Sequence, residues 1–335
     1  MTFSHKILDW YSTEARDLPW RKPNNTPYKV VLSEFMLQQT QVPRVIEKFH
    51  EFLRLFPTIQ DLAKAPQADV IKAWSGLGYN RRALLLHKFA QAVCGQSGII
   101  PSDTEELIKL PGIGPYTSGS IASFAFNKSS PAIDVNVRRI YLRYFRGKDQ
   151  GLPGNKEEEK AVYNLVLQSI PEGKSCDLHN ALMDFGSSTC TRNNPQCGDC
   201  FLSSSCKFAP LYEKDKKVMY VMEKKKEKGV SEFGKHVPNR IFRGRIVEWV
   251  RQNEGKEISL RDLGNDIKKD YGDEKEWLLM LIDNLQRDNL INFELKKETI
   301  IMKIANEHTM KPSYIFIDHT ADVLFKAVGN TLPEL

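Results

Sequence analysis

The chain has 335 residues, of which 41% are hydrophobic and 27% charged, and a formal net charge of +6. That length allows two domains with separate cores, and the modest basic excess is compatible with a nucleic-acid partner without requiring one. No run of about 18 apolar residues is present and the N-terminus MTFSHKILDWYSTEAR lacks an apolar secretory core, so no membrane span or signal peptide is read and a cytoplasmic location is expected.

The chain opens on a short amphipathic helix marked by Ile7, Leu8, Trp10 and Tyr11, followed by the proline-punctuated loop LPWRKPNNTPY. From Val30 to Phe89 the apolar spacing is helical, with breaks at Pro57, Pro66 and Gly76-Leu77-Gly78. No period-2 strand appears before residue 210, so the first 209 residues read as one all-α domain. Residues 210–235 are charge-dense and read as a solvated linker. Three helical patterns follow, around Ile241–Val250, Leu260–Ile267 and Trp277–Leu285. Two β-prone runs, Leu290–Leu295 and Thr299–Ile304, complete the plan of a winged helix over 236–305. The last stretch, 312–335, is too short to build a core.

Two features carry chemistry. Leu110–Arg139 opens on a tight Gly112-Ile113-Gly114 turn entering a helix, an arrangement that aims backbone N–H groups at an anionic phosphate. A lone acid, Asp134, follows; a carboxylate near a phosphate site makes sense where positive charge develops during a reaction, although an N-cap is a common use of such an Asp. The second feature is Cys190, Cys197, Cys200 and Cys206, spaced C-x6-C-x2-C-x5-C. Four thiolates in a turn-rich segment suit zinc or a four-iron cluster; with only one C-x2-C pair, the spacing favours iron–sulfur. Cys94 and Cys176 fall outside the pattern and read as buried or idle thiols.

These features coincide with the strings LPWR, TPYKVVLSEFMLQQTQV, GLGYNRRA, LPGIGPYTSGSIASFAF, AIDVNVRR and ALMDFGSSTCTRNNPQC. Over residues 5–208 the chain resembles the helix-hairpin-helix DNA glycosylases, in the endonuclease III-like, cluster-containing branch, and within it the MutY-type adenine DNA glycosylases. The resemblance implies a mainly α fold with a [4Fe-4S] cluster, and a monomer that acts on double-stranded DNA containing a mismatch in base excision repair. The expected reaction is hydrolysis of the glycosidic bond of adenine paired with 8-oxoguanine or guanine, after the base is flipped out.

By the same resemblance Glu34 is the acid that protonates the purine. Lodged among Leu32, Phe35 and Met36, it is expected to have a raised pKa, whereas by itself it would read as a surface helix carboxylate. Asp134 would stabilise the oxocarbenium-like sugar, with Asn136 in support. Tyr116 stands where relatives that also cleave the strand carry a Schiff-base lysine, so base excision without efficient strand cleavage is expected. Gln38 and Gln39 match residues that probe the gap left by the base, Tyr79 an aromatic that stacks into the duplex, and Trp20, Arg21 and Asp184 positions at the adenine pocket. Gly112 and Gly114 would hold the DNA strand, and Arg81, Arg82, Arg138 and Arg139 are expected to be exposed and to meet phosphates.

Three departures matter. Residues 236–305 are too short for the Nudix-like domain with which many relatives read 8-oxoguanine. Val135 replaces a common glycine and Tyr116 also occurs in thymine-specific relatives, so a thymine or uracil glycosylase acting on G·T or G·U is the alternative; MLQQTQ and GLGY favour adenine. A non-catalytic DNA-binding relative is the other reading. Finally, YIFIDHTADVLFKAVGNTLPEL resembles the start of archease, in which Asp318, His319 and Asp322 would ligate metal only with partners this fragment lacks.

Overall fold

A computed structural model describes residues 2–23, 25–149, 155–216 and 227–306, and the backbone of 315–318 and 323–326. It divides into two compact units, one of Met1–Leu53, Thr58–Gln60 and Lys88–Lys225, the other of Arg54–Pro57, Asp61–His87 and Lys226–Leu335. No described helix is long and apolar enough to cross a membrane.

The helices follow the expected order. They are α1 (Phe3–Glu14), α2 (Pro27–Leu37), α3 (Val42–Leu55), α4 (Ile59–Lys64), α5 (Gln67–Ala73), α6 (Arg81–Gln96), α7 (Thr104–Leu107) and α8 (Pro115–Phe126). Next come α9 (Val135–Tyr141), which runs into a π turn over Leu142–Arg146, then α10 (Lys156–Ser169), α11 (Ser175–Ser188) and α12 (Ala209–Lys214). Local chemistry sets the starts of the site-bearing helices. Thr26 caps α2 by accepting from the Lys29 N–H at 3.3 Å, and Pro27 and Pro115 occupy first-turn positions where no amide bond is lost. In the first unit α2 packs on α8, while α11 packs on α1, α8 and α9 around Phe3, Ile7, Val137, Ile140, Leu178 and Phe185.

The second unit contains a hairpin of β1 (Gly229–Glu232) and β2 (Lys235–Pro238), then α13 (Asn239–Asn253), β3 (Glu257–Ser259), α14 (Leu260–Ile267) and α15 (Lys275–Arg287). β4 (Ile291–Lys296) and β5 (Thr299–Ile304) close an antiparallel sheet of order β3-β5-β4. Three helices with this small sheet form the expected winged-helix plan; β3, three residues long, is too short to show a period.

Two boundaries differ from those read in the sequence. Residues 61–87 leave the first domain, because Ala68, Ile71 and Leu84 share a core with Phe242, Ile246, Val250, Leu281 and Ile300. The buried Gln67 amide adds a 2.9 Å bond to the Ala305 carbonyl. The linker also ends earlier than 235, since Val230 and Val237 of the β1–β2 hairpin pack on that same core. In the tail, β6 (Ile315–Asp318) pairs with β7 (Val323–Lys326), and His319 and Asp322 lie outside the described residues.

Candidate active site

Four segments of the first unit converge on one cleft of about 670 Å³, lined among others by Trp20, Arg21, Glu34, Gln38, Gln39, Tyr116, Asp134 and Asn136. Eight residues spread from Trp20 to Asn136 in sequence thus share one surface.

Glu34 lies on α2 among fully buried apolar neighbours and is itself only 7% exposed. Burial raises its carboxyl from the ordinary 4.5 to about 7, and the nearby Asp134 charge pushes in the same direction. Hydrogen bonds from Ser120 and Tyr116, both on α8, oppose the rise by favouring the anion. Burial together with the Glu34 and Asp134 charges pushes the Tyr116 phenol well above its ordinary range, so it remains a donor. Ser120 carries no signal in the sequence beyond its place on the helix after the hairpin.

Asp134 is the N-cap of α9. Its Oδ1 accepts the Asn136 and Val137 N–H groups, both at 2.8 Å, and its Oδ2 accepts the Asn136 side-chain amide at 2.7 Å. Burial pushes this carboxyl up, and those three hydrogen bonds and the Arg139 charge pull it back part of the way. The cap and the site are therefore the same group, a fixed carboxylate lining the cleft. Behind it, Arg139 Nη2 donates to Asn136 Oδ1 (2.8 Å) and to the Gly186 carbonyl (2.7 Å), and its Nε donates to the Cys190 carbonyl (2.9 Å). A chain of hydrogen bonds thus runs from Asp134 to the first residue of the cysteine loop.

The backbone over Pro131–Asn136 fits between α8 and α11 only because two positions there are glycine. A Cβ on Gly119 would sit 2.2 Å from the Pro131 carbonyl oxygen, and one on Gly186 would sit 2.7 Å from the Asn136 Cβ. The buried His179 closes this packing, since its Nε2 accepts the Ala132 N–H at 3.0 Å. Burial lowers its pKa to about 4, which keeps that nitrogen free to accept.

Several expected roles are redistributed. Asp184 is 2% exposed and does not line the cleft. Its oxygens accept from Arg16 Nε (2.6 Å), from the Arg16 amide (3.0 Å) and from both η nitrogens of Arg21 (2.8 and 3.0 Å). Burial favours the neutral acid, but these arginine contacts outweigh it and hold the carboxyl below its ordinary value. It therefore anchors Arg21 in the cleft wall, while Trp20 packs edge-on against Phe49.

Of the four arginines expected at phosphates, only Arg81 is exposed. Arg139 is spent as described, and Arg138 pairs with Glu158 at 2.9 Å. Arg82, buried to 6% exposure, donates to the Leu77 and Gly78 carbonyls at 2.9 and 3.0 Å and so pins the GLGY turn. Its desolvation lowers its pKa to about 10. Tyr79 belongs to the second unit, 41% exposed and held at φ +46°; Gln39, likewise exposed, has φ +57°. Non-glycine residues in this region are strained and need surrounding contacts to persist. In the hairpin only Gly112, at φ +77°, needs glycine for its backbone; Gly114 is extended and would have open space at its Cβ.

Cys190, Cys197, Cys200 and Cys206 line one small cavity with Ile140, Phe185, Leu202 and Phe208. Burial raises the Cys197 thiol to about 12, with the neighbouring thiols adding to the rise. Burial also raises Cys200 and Cys206, against N–H donors from Leu202 and Ser203 on one and from Ala209 and Phe208 on the other. Among the described residues no three His, Cys, Asp or Glu side chains close on a point as they would around one ion. The thiols instead surround an apolar space.

The family described as HhH-GPD superfamily base excision DNA repair proteins matches residues 32–166. An adenine DNA glycosylase of Mycobacterium tuberculosis is 39% identical over 198 residues, 58% of this chain and 64% of that protein. Another, from Buchnera aphidicola subsp. Acyrthosiphon pisum, is 36% identical over 264 residues, 76% of this chain and 71% of that one. The chain belongs to the adenine DNA glycosylase family. It spans a little under two thirds of the mycobacterial relative's length. A solved thermostable thymine-DNA glycosylase is 30% identical with a TM-score of 0.57, covering 62% of this chain and 95% of its own. That protein shares the fold of this chain.

Proposed function

We propose that this chain is a monofunctional adenine DNA glycosylase of base excision repair, acting as a monomer on duplex DNA in which adenine faces 8-oxoguanine or guanine. The observation that carries the reading is Glu34, a buried carboxyl in the cleft whose pKa of about 7 leaves it half protonated at neutral pH, with Asp134 lining the same cleft.

Adenine leaves poorly as an anion. Glu34 gives its proton to the purine ring of the flipped base, the C1′–N bond breaks with its electron pair going to the base, and the sugar becomes cationic. Asp134 meets that cation, directly or as a transient C1′ adduct, until water adds at C1′ and loses a proton. Tyr116, kept protonated, donates to Glu34 and steadies the carboxylate left after the transfer. Lacking an amine, it forms no imine, so the product is an intact abasic strand. Gln38 and Gln39 would fill the vacated stack, and Trp20 and Arg21 would hold the base.

Cys190, Cys197, Cys200 and Cys206 would hold a [4Fe-4S] cluster, a group that four protein thiolates suit. Thiols in an apolar cavity, two of them with N–H donors, suit such a ligand set. When bound, the cluster supplies a rigid clip for the 190–206 loop; the catalytic groups remain those of the cleft. Purified protein is expected to be brown with a broad band near 400 nm (an approximate value for thiolate-ligated iron). Stoichiometric zinc without iron would overturn this assignment.

The function is tested by a base-release panel on A·8-oxoG, A·G, T·G and U·G duplexes. Free adenine from the first two, with no strand cleavage, is expected. Thymine or uracil release without adenine would shift the assignment to the thymine class, and binding without any release would make the chain a non-catalytic relative.

A further inference from the structure

The GLGY turn is built into the C-terminal unit. Arg251 of α13 donates from Nη2 to the Ile71 carbonyl at 2.7 Å and to Asn80 Oδ1 at 2.9 Å, and Ser75 donates to Glu248 of the same helix at 2.9 Å. The residues on both sides of Tyr79 are therefore held from α13. The Tyr79 ring is itself flanked by two guanidinium groups, Arg82 and Arg240, each 5.6 Å from its centroid. Arg82 is buried and spent on main-chain carbonyls. Arg240, in the first turn of α13, is 44% exposed and is held at Nε by Glu227 at 2.7 Å.

We propose that Arg240 is a phosphate contact for duplex DNA, so that the C-terminal unit supplies part of the DNA surface beside Tyr79. The inference rests on the reading of this chain as a DNA glycosylase. Its support is continuity, since the exposed aromatic expected to enter the duplex carries this exposed guanidinium against its ring. An arginine beside an inserted aromatic lies within reach of the flanking backbone, and its planar fork matches phosphate oxygens. The Glu227 pair does not oppose this strongly, because an exposed ion pair is worth little in water and is readily exchanged for a polyanion. Exposed Arg81, Lys228 and Lys235, close in sequence to Tyr79 or Arg240, add positive charge. The role is one of affinity common to all sequences, since phosphates carry no base identity.

The test is a titration of full-length wild type and Arg240→Ala against A·8-oxoG and A·G duplexes over a salt series, with single-turnover base release at saturating protein. Arg240→Ala is expected to raise Kd about tenfold on both duplexes. It should reduce the slope of log K against log salt by about one. Release at saturation should stay within about twofold of wild type, because Arg240 lies outside the cleft. Glu227→Gln should shift Kd the other way, and Arg240→Lys should restore the salt slope. Unchanged Kd and slope in Arg240→Ala, with a wild-type thermal melt, would overturn the proposal, as would a loss confined to one partner base. Wild type that binds duplex but releases no base would sink the glycosylase reading alone, and the titration would still decide the role of Arg240.

Discussion

Glu34→Gln is expected to lower the single-turnover rate of adenine release by about a thousandfold, the scale of a lost general acid. Glutamine keeps the volume and still accepts from Ser120 and Tyr116, but it has no proton to give. The wild-type enzyme should show the complementary pH profile. Burial places the Glu34 pKa at about 7, so the protonated fraction, and with it the rate, falls about tenfold per pH unit above that point. The same group has a stability signature of defined sign. Its folded-state pKa lies above the ordinary 4.5, so the acid costs nothing below about 4.5 and the fold loses stability as pH rises from there through 7. The loss saturates at roughly 3 kcal/mol, since one pKa unit is about 1.4 kcal/mol. Glu34→Gln should therefore melt higher than wild type at pH 8 and much like it at pH 4. Wild-type release by the glutamine variant at pH 6 would remove Glu34 from the reaction.

Asp134→Asn separates charge from capping. Asparagine caps helices about as well as aspartate, so α9 should persist. Stability should drop by only about 1 kcal/mol, because an amide group replaces Oδ2 opposite the Asn136 amide and one hydrogen bond becomes a donor–donor contact. Base release should nevertheless fall by about 10² to 10³, the scale of removing a group aimed at charge developing in a transition state. Duplex affinity should be unchanged or tighter, as a negative charge has left a polyanion's site. Binding titrations beside single-turnover kinetics read the two effects apart. A variant that binds and releases like wild type would show that the Asp134 charge is not used.

The sequence by itself determined those features whose physical cause is local. A helix start was legible at Asp134 because a cap is a bond to residues two or three positions away. The helical periods, the breaks at Pro57 and Pro66, and the winged-helix order follow from short-range spacing in the same way. The cysteine spacing pointed to a shared ligand set, whereas Glu34 by itself read as a surface carboxylate and only its resemblance to a family acid suggested a raised pKa. Only the tertiary structure decided how the charges are spent. Arg82, Arg138 and Arg139 all sit in strings that look like DNA-facing patches, yet two are buried against carbonyls and the third pairs with Glu158. Asp184 likewise serves two arginines more than 160 residues away, and Gly119 and Gly186 are required by the Pro131 carbonyl and the Asn136 side chain, which a linear reading does not place beside them. Residues 61–87 joined the C-terminal unit for the same reason, since the apolar faces of Ala68 and Ile71 match a core formed after residue 240. Periodicity reveals that a face must be covered, whereas what covers it depends on distant parts of the chain, and with that the cleft around Glu34 and the surface around Tyr79.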